Sequence, residues 1–290
     1  MYPSRFDYLA PASLEEVVDA LGEREGAKVM AGGQSLIPVL KLRIASVDTV
    51  VDINGVPGLE GIEADGDGLR IGALVRHVDA ERSEALSGRY GLLGSTAPLV
   101  SDPLVRNRGT VCGSLAHADP QGDWGAAMLA ARATVVARGR SGERAIPIDE
   151  LFLGPFSTTV ASDEVVTEVR VPDPGARTGG TYLKLERKIG DYATAGVAVQ
   201  VTLDNGSVGE VGIGLTGVGA TNLRATAAEE ALRGREPTDD VIREAARLAS
   251  GDAEPQSDNR GSADYKRNVV RVFCERGLRT AISAARAGEE

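Results

Sequence analysis

Cysteine is nearly missing from this chain: its 290 residues hold two, Cys112 and Cys274, far apart and in no C-x-x-C spacing. Neither a disulfide framework nor a metal cluster is indicated by such a pattern. Histidine is as scarce, with His77 and His117 alone, so a zinc site is disfavoured and any iron–sulfur or metal chemistry must be supplied from elsewhere. His77 reads as a surface or capping residue and is assigned no chemistry. No run of about 18 apolar residues occurs, which leaves no transmembrane segment. The opening Met1-Tyr2-Pro3-Ser4-Arg5-Phe6-Asp7 lacks the charged-then-apolar layout of a signal peptide, and a cytoplasmic location is expected. Excess positive charge is lacking too. A formal net charge of -10 argues against nucleic acid, whose phosphates require clustered Lys and Arg. Walker A, G-x-S-x-G and paired-histidine motifs are likewise absent.

What remains is an ordinary globular composition, 42% hydrophobic and 26% charged, with a length that suggests two domains. The most informative stretch is Val29-Met30-Ala31-Gly32-Gly33-Gln34-Ser35-Leu36. An apolar run meets two glycines and then a hydroxyl residue that opens a short helix over 36–42. Glycine accepts positive φ and has no Cβ, so the backbone can turn sharply and lie close to a ligand. With Ser35 as the cap, free amides and a helix dipole would face one spot, which suits a pyrophosphate. The plain alternative is a strand-turn-helix corner.

A second stretch runs from Arg106-Asn107-Arg108-Gly109-Thr110-Val111-Cys112-Gly113-Ser114 to Asp119-Pro120-Gln121-Gly122-Asp123-Trp124. Small residues dominate it, so it packs little core of its own. Amides near Gly113 and Ser114 are suited to a second face of a phosphate, and Asp119 and Asp123 to ribose or ribityl hydroxyls. The alternative is a tight turn with the aspartates as caps, Asp123 capping a helix over 124–132.

Around these stretches the pattern alternates helix and strand. Ser13 and Glu16 form a capping box for a helix that Gly22 stops. Strands are predicted over 49–53 and 69–74, a helix over 77–86, a hairpin over 134–148 and a strand over 163–171. Pro172-Asp173-Pro174-Gly175, continued by Gly179-Gly180, is the best domain boundary, dividing the chain into 1–175 and 176–290. Beyond it, strands over 194–203 and 208–215 flank Asp204-Asn205-Gly206, a strong hairpin signal. Helices over 225–232, 238–249 and 262–285 follow. Gly212-Ile213-Gly214-Leu215-Thr216-Gly217 matches the dinucleotide fingerprint in letters only. Its glycines alternate with apolar residues in strand period and no helix opens within it.

Taken together, Ala31-Gly32-Gly33-Gln34-Ser35-Leu36, the Thr110 to Asp123 stretch, and Lys184 with Arg187-Lys188-Ile189-Gly190-Asp191-Tyr192-Ala193 resemble one family. It is that of the FAD-binding medium, or flavoprotein, subunits of molybdenum hydroxylases of the carbon monoxide dehydrogenase and xanthine dehydrogenase type. The match spans nearly the whole chain, including Phe6-Asp7-Tyr8 and Tyr265-Lys266. It implies an α+β fold: an FAD-binding domain of the vanillyl-alcohol oxidase (PCMH) type, then a small C-terminal domain of antiparallel sheet plus helices. By similarity, residues 32–35 and 110–114 hold the pyrophosphate, Tyr192 lies against the isoalloxazine and Lys184 is near it. Gln34 stands where close relatives often have histidine, so non-covalent FAD is implied. Cys112 replaces the first of the two glycines usual in the second motif, putting a side chain where backbone is expected to approach the flavin.

The resemblance further implies partners: a small subunit with [2Fe-2S] clusters and a large molybdopterin subunit with the molybdenum cofactor, joined in a dimer of heterotrimers. The subunit would pass electrons from the partner's clusters to an external acceptor. Residues 187–195 are most similar to carbon monoxide dehydrogenase relatives. A different reading is a self-sufficient FAD-dependent oxidase or dehydrogenase acting on a small organic substrate, although no general base is evident beside Tyr192. A non-enzymatic scaffold is disfavoured by the two glycine motifs.

Overall fold

The computed structural model describes residues 2–66 and 68–287. The chain opens with β1 (Asp7–Leu9), α1 (Leu14–Glu23), β2 (Ala27–Met30), α2 (Leu36–Lys41) and β3 (Thr49–Asp52). The strands form a parallel sheet in the order β1-β3-β2. Helix α1 starts where Ser13 Oγ accepts from the Glu16 amide at 3.2 Å and the Glu16 carboxylate accepts from the Ala12 amide at 2.8 Å. It buries Val17, Val18 and Leu21 and runs through Gly22 instead of stopping there. The Arg140 side chain lies across that glycine, so its missing Cβ is a packing accommodation.

Next come β4 (Ile62–Asp65), β5 (Gly68–Gly72), α3 (His77–Arg82), α4 (Gly91–Thr96), α5 (Pro103–Arg106), α6 (Val111–His117) and α7 (Asp123–Ala130). After them run β6 (Thr134–Gly139), β7 (Gly142–Pro147), the short pair β8 (Phe152–Gly154) and β9 (Ser157–Thr158), and β10 (Val165–Pro172). The larger sheet has the order β4-β5-β10-β6-β7. Two local hairpins are thus joined by a central strand made much later, antiparallel to both neighbours. Every residue of α7 is buried, which explains its uninterrupted small and apolar sequence.

The last part is an antiparallel sheet of β11 (Thr178–Leu185), β12 (Ala195–Asp204), β13 (Ser207–Thr216) and β14 (Leu223–Arg224). Asn205 at φ 48° and Gly206 at φ 82° make the turn between β12 and β13, the double positive φ that a tight hairpin demands. Helices α8 (Thr226–Leu232), α9 (Asp239–Asp252) and α10 (Ala263–Ala287) cover it, with Val270, Cys274, Leu278 and Ile282 packed in one core with Val197, Val199 and Val201. The glycines of the false fingerprint lie inside β13, as their alternation implied. A Cβ on Gly212 or Gly214 would lie 1.9 or 2.0 Å from the carbonyl oxygens of Ala130 or Ala126. Those two glycines therefore let α7 of the first half lie directly on the sheet of the second. Among the described residues no helix is long and apolar enough to cross a membrane.

Candidate FAD site

The loop after β2 is built by two glycines with different tasks. Gly33 has φ +72°, the left-handed region, whereas Gly32 is required for closeness: a Cβ there would lie 2.4 Å from the Arg108 carbonyl oxygen. Gln34 Nε2 donates to the Gly32 carbonyl at 3.2 Å. The Ile37 amide closes back on the Gly33 carbonyl at 3.0 Å. Among the described residues, the amides from Gly32 to Leu36 donate to no acceptor in the chain. Ala31, Gln34, Ser35 and Leu36 are all partly exposed. Ser35 does precede the helix, but its side chain does not cap it. Its backbone is already helical at φ -104°, ψ -47°, and a capping hydroxyl needs an extended residue. A corner of unspent N–H donors of this kind fits a pyrophosphate.

The second motif is wired differently. Thr110 is extended and caps α6, its Oγ1 accepting from the Gly113 amide at 3.1 Å. The Ser114 amide donates to the Thr110 carbonyl at 3.0 Å. Both amides that the sequence offered to a phosphate are therefore spent inside the helix. Cys112 also corrects an expectation: its side chain is 2% exposed and points into the core, with Sγ 3.6 Å from the Ile71 carbonyl. Burial pushes this thiol up to about 12, so it is a core residue and not the exposed side chain the second motif led one to expect.

The two loops touch, because Gly32 packs on Arg108 and Gly109. Gly109 in turn lies under the His77 ring. His77 is buried, contrary to the surface reading, and its Nδ1 accepts from Trp124 Nε1 at 3.0 Å. Burial, helped by Arg106 and Arg76, lowers its pKa to about 4. A neutral ring with its proton on Nε2 follows from that hydrogen bond. Nothing in the sequence near His77 signals a partner so far along the chain.

Asp123 opens α7 without capping it. Its Oδ1 accepts from the Tyr182 hydroxyl at 2.7 Å and its Oδ2 from Lys184 Nζ at 3.1 Å. Lys184, whose side chain is 1% exposed, also donates to the Leu99 carbonyl at 2.8 Å and lies 3.6 Å from Glu186. Burial raises the Asp123 carboxyl while Lys184 opposes it. Burial and the Asp123 charge lift the Tyr182 phenol well above its ordinary value. Lys184 and Asp123 thus form a buried ion pair between the halves, completed by two residues the sequence reading missed, Tyr182 and Glu186.

Asp119 lies in the turn before α7, with Oδ1 accepting from the Gln121 amide at 2.9 Å. Thr216 Oγ1 donates to the Pro120 and Gly122 carbonyls at 3.1 and 2.8 Å, fixing this turn to β13. Tyr192 is half exposed. Its phenol is raised by burial first and then by the charges of Asp119 and Asp123. Its backbone is held by Asp191, which accepts from the Tyr192 amide at 2.8 Å, and by Arg260, which donates to the Tyr192 carbonyl at 2.9 Å. Arg260 and Arg187 hold the Asp191 carboxyl well below the usual range. The structure therefore brings the first loop against the second at Gly32 and Arg108 and sets Gly122 of the 119–122 turn near Ser114, while Lys184 is buried and Tyr192 stays half exposed.

Residues 4–174 match the family model of the FAD binding domain in molybdopterin dehydrogenase, and residues 180–281 match the CO dehydrogenase flavoprotein C-terminal domain. The chain belongs to the FAD-binding medium subunits of the molybdenum hydroxylases. Such a subunit is part of an oxidoreductase, and the α+β fold implied by the resemblance is the one observed. This medium subunit is 41% identical to the carbon monoxide dehydrogenase medium chain of Hydrogenophaga pseudoflava, over 97% of this chain and 98% of that one. It is 35% identical to the nicotine 6-hydroxylase medium subunit of Paenarthrobacter nicotinovorans, over 94% and 98%. In three dimensions it is similar to carbon monoxide dehydrogenase from Hydrogenophaga pseudoflava, with TM-score 0.94, 43% identity and coverage of 98% and 99%. Quinoline 2-oxidoreductase from Pseudomonas putida 86 gives TM-score 0.91 at 30% identity, covering all of both chains.

Proposed function

We propose that this medium subunit binds FAD non-covalently and relays electrons from the iron–sulfur clusters of a small partner subunit to an external acceptor. The observation that carries the reading is the corner at Gly33, where the amides from Gly32 to Leu36 are unspent. Those amides take the pyrophosphate, and Thr110 to Ser114 line its other side. Bound FAD supplies the junction between two-electron and one-electron chemistry. Asp119 and Tyr192 border the redox end, and the Asp123–Lys184 pair fixes the turn behind it. The two cysteines are buried in separate cores, Cys112 in the first half and Cys274 in the second, too few and too far apart to hold an iron–sulfur cluster. The molybdenum cofactor and the [2Fe-2S] clusters then belong to a large and a small partner, assembled in the cytoplasm as a dimer of heterotrimers. In this reading the chain divides near residue 175 into the flavin domain and the C-terminal domain.

Similarity to both a carbon monoxide dehydrogenase and a nicotine 6-hydroxylase subunit leaves carbon monoxide as one substrate class beside N-heterocycles, since substrate choice lies in the large subunit. The isolated FAD-loaded chain is expected to stay oxidised under carbon monoxide or an N-heterocycle, and to be reduced once the partner subunits are restored. Anaerobic bleaching of its flavin band by such a substrate, with this chain alone, would overturn the relay in favour of a self-sufficient oxidase.

A further inference from the structure

Residues 75–77 run antiparallel to 109–111. The His77 amide donates to the Gly109 carbonyl at 3.0 Å, the Val111 amide donates to the Val75 carbonyl at 3.1 Å, and Arg76 bridges Thr110. The backbone of Arg76 therefore belongs to the second glycine loop. Its side chain leaves that loop in two directions. Nη1 donates to the Arg108 carbonyl at 2.5 Å and Nη2 donates to Asn54 Oδ1. Asn54 Nδ2 in turn donates to the Ala31 carbonyl at 2.8 Å, at the start of the first loop. The Asn54 amide is oriented by both contacts: turned over, it would present a donor to Arg76 and an acceptor to a carbonyl.

The assembly is braced from behind. Asp52 Oδ1 accepts from the Asn54 backbone N–H at 2.9 Å, and Asp52 Oδ2 accepts from the Tyr8 hydroxyl at 2.7 Å. Hydrogen bonds from Tyr8 and Asn54 hold the Asp52 carboxyl low in spite of its burial. Arg76 spends both terminal nitrogens on neutral oxygens, so its charge is not cancelled there. Burial first and then the neighbouring Arg108 charge lower its pKa, while the Asp79 and Asp52 charges oppose them. A guanidinium suits the task because its planar fork reaches two acceptors at a fixed spacing, which an ammonium does not.

We infer that Arg76 and Asn54 form a clasp across the two glycine loops, and that this clasp sets the loop separation on which tight FAD binding depends. They are positioning residues: neither is required to touch FAD, and both act through the carbonyls of Ala31 and Arg108. The inference rests on the reading that the two loops hold FAD between them. Opening the clasp leaves each loop folded on its own strand or helix but lets the contact of Gly32 with Arg108 and Gly109 slip.

The test is FAD affinity of the full-length chain after flavin removal, followed by flavin fluorescence, with the melting temperature of the flavin-free protein as control. Asn54→Leu and Arg76→Ala are each expected to weaken FAD about tenfold, the worth of one lost charge-assisted bridge. The double variant should lose little more than the worse single, because the two side chains act in one chain of contacts. Arg76→Lys, which reaches one of the two oxygens, should recover part of what Arg76→Ala loses. Asn54→Asp, which keeps the Arg76 contact but cannot donate to Ala31, should recover none. Unchanged affinity in the single variants, losses that multiply in the double, or losses that merely track a fall in the flavin-free melting temperature would each overturn the clasp. If Gly33→Val still binds FAD normally, the loop reading itself fails and takes the clasp with it. If Gly33→Val loses FAD while Asn54→Leu does not, the clasp alone falls.

Discussion

In the loop after β2, Gly33 is left-handed and the amides from Gly32 to Leu36 are unspent; in the loop before α6, Thr110 consumes the Gly113 and Ser114 amides. Both stretches read as phosphate cradles, yet one is an open row of donors and the other a capped helix start. Glycine composition alone does not distinguish backbone offered to a ligand from backbone offered to the protein's own core. Gly212 and Gly214 make a third case, where glycine admits a helix onto a strand. What separates the cases is where the neighbouring N–H groups go.

The comparison breaks most sharply at Gly33. Gly33→Val adds a branched Cβ at φ +72°, a strain of about 1–3 kcal/mol before any clash with FAD. Purified Gly33→Val protein should be colourless. A yellow variant with full flavin content would mean the first loop is not the cradle.

The second loop should be the pH-sensitive one, because His77 holds Gly109 from beneath. Its folded pKa of about 4 lies below the unfolded value, so its contribution is complete above about pH 6.5. It fades as pH falls toward 4, when the unfolded chain binds a proton that the folded one refuses. The stability gap between the natural chain and His77→Gln should narrow by on the order of 3 kcal/mol between pH 7 and pH 4. Urea midpoints at the two pH values measure it, and a gap that stays constant sinks the assignment.

Gly214→Ala tests the packing role. A methyl 2.0 Å from the Ala126 carbonyl should cost about 1–3 kcal/mol through displacement of α7. Flavin occupancy of the folded protein should not change. Loss of cofactor without loss of melting temperature would place these glycines in the flavin site after all. The smallest effect is expected at Cys112→Ala: flavin affinity unchanged, with less than about 1.5 kcal/mol of stability lost. Thiol reagents should label neither cysteine before unfolding, and rapid native labelling of Cys112 would contradict its core position.

Legibility followed sequence separation. Ser13 with Glu16 and Asn205-Gly206 between β12 and β13 were readable because each signal lies within a few residues of the structure it makes. The alternation around Gly212 and Gly214 exposed the false fingerprint for the same reason. Asp123 was misread because a carboxylate at a helix start looks like a cap until Tyr182 and Lys184 arrive from β11. His77 depended on Trp124. Asn54 was not singled out because its partners, Ala31 and Arg76, lie 23 and 22 residues away.

The strand order of the larger sheet has a consequence for synthesis. Arg170 of β10 pairs with Arg70 of β5, and Val169 pairs with Val135 of β6, so a ribosome must deliver the end of the first half before its two hairpins share a sheet. Until then the nascent chain carries two unpaired strand edges, and closing them requires a long-range search. The second glycine loop, paired with the residues just past β5, needs nothing from β10 for that pairing. The corner at Gly33, among the earliest segments made, has no loop to pack against until Arg108 and Gly109 follow it.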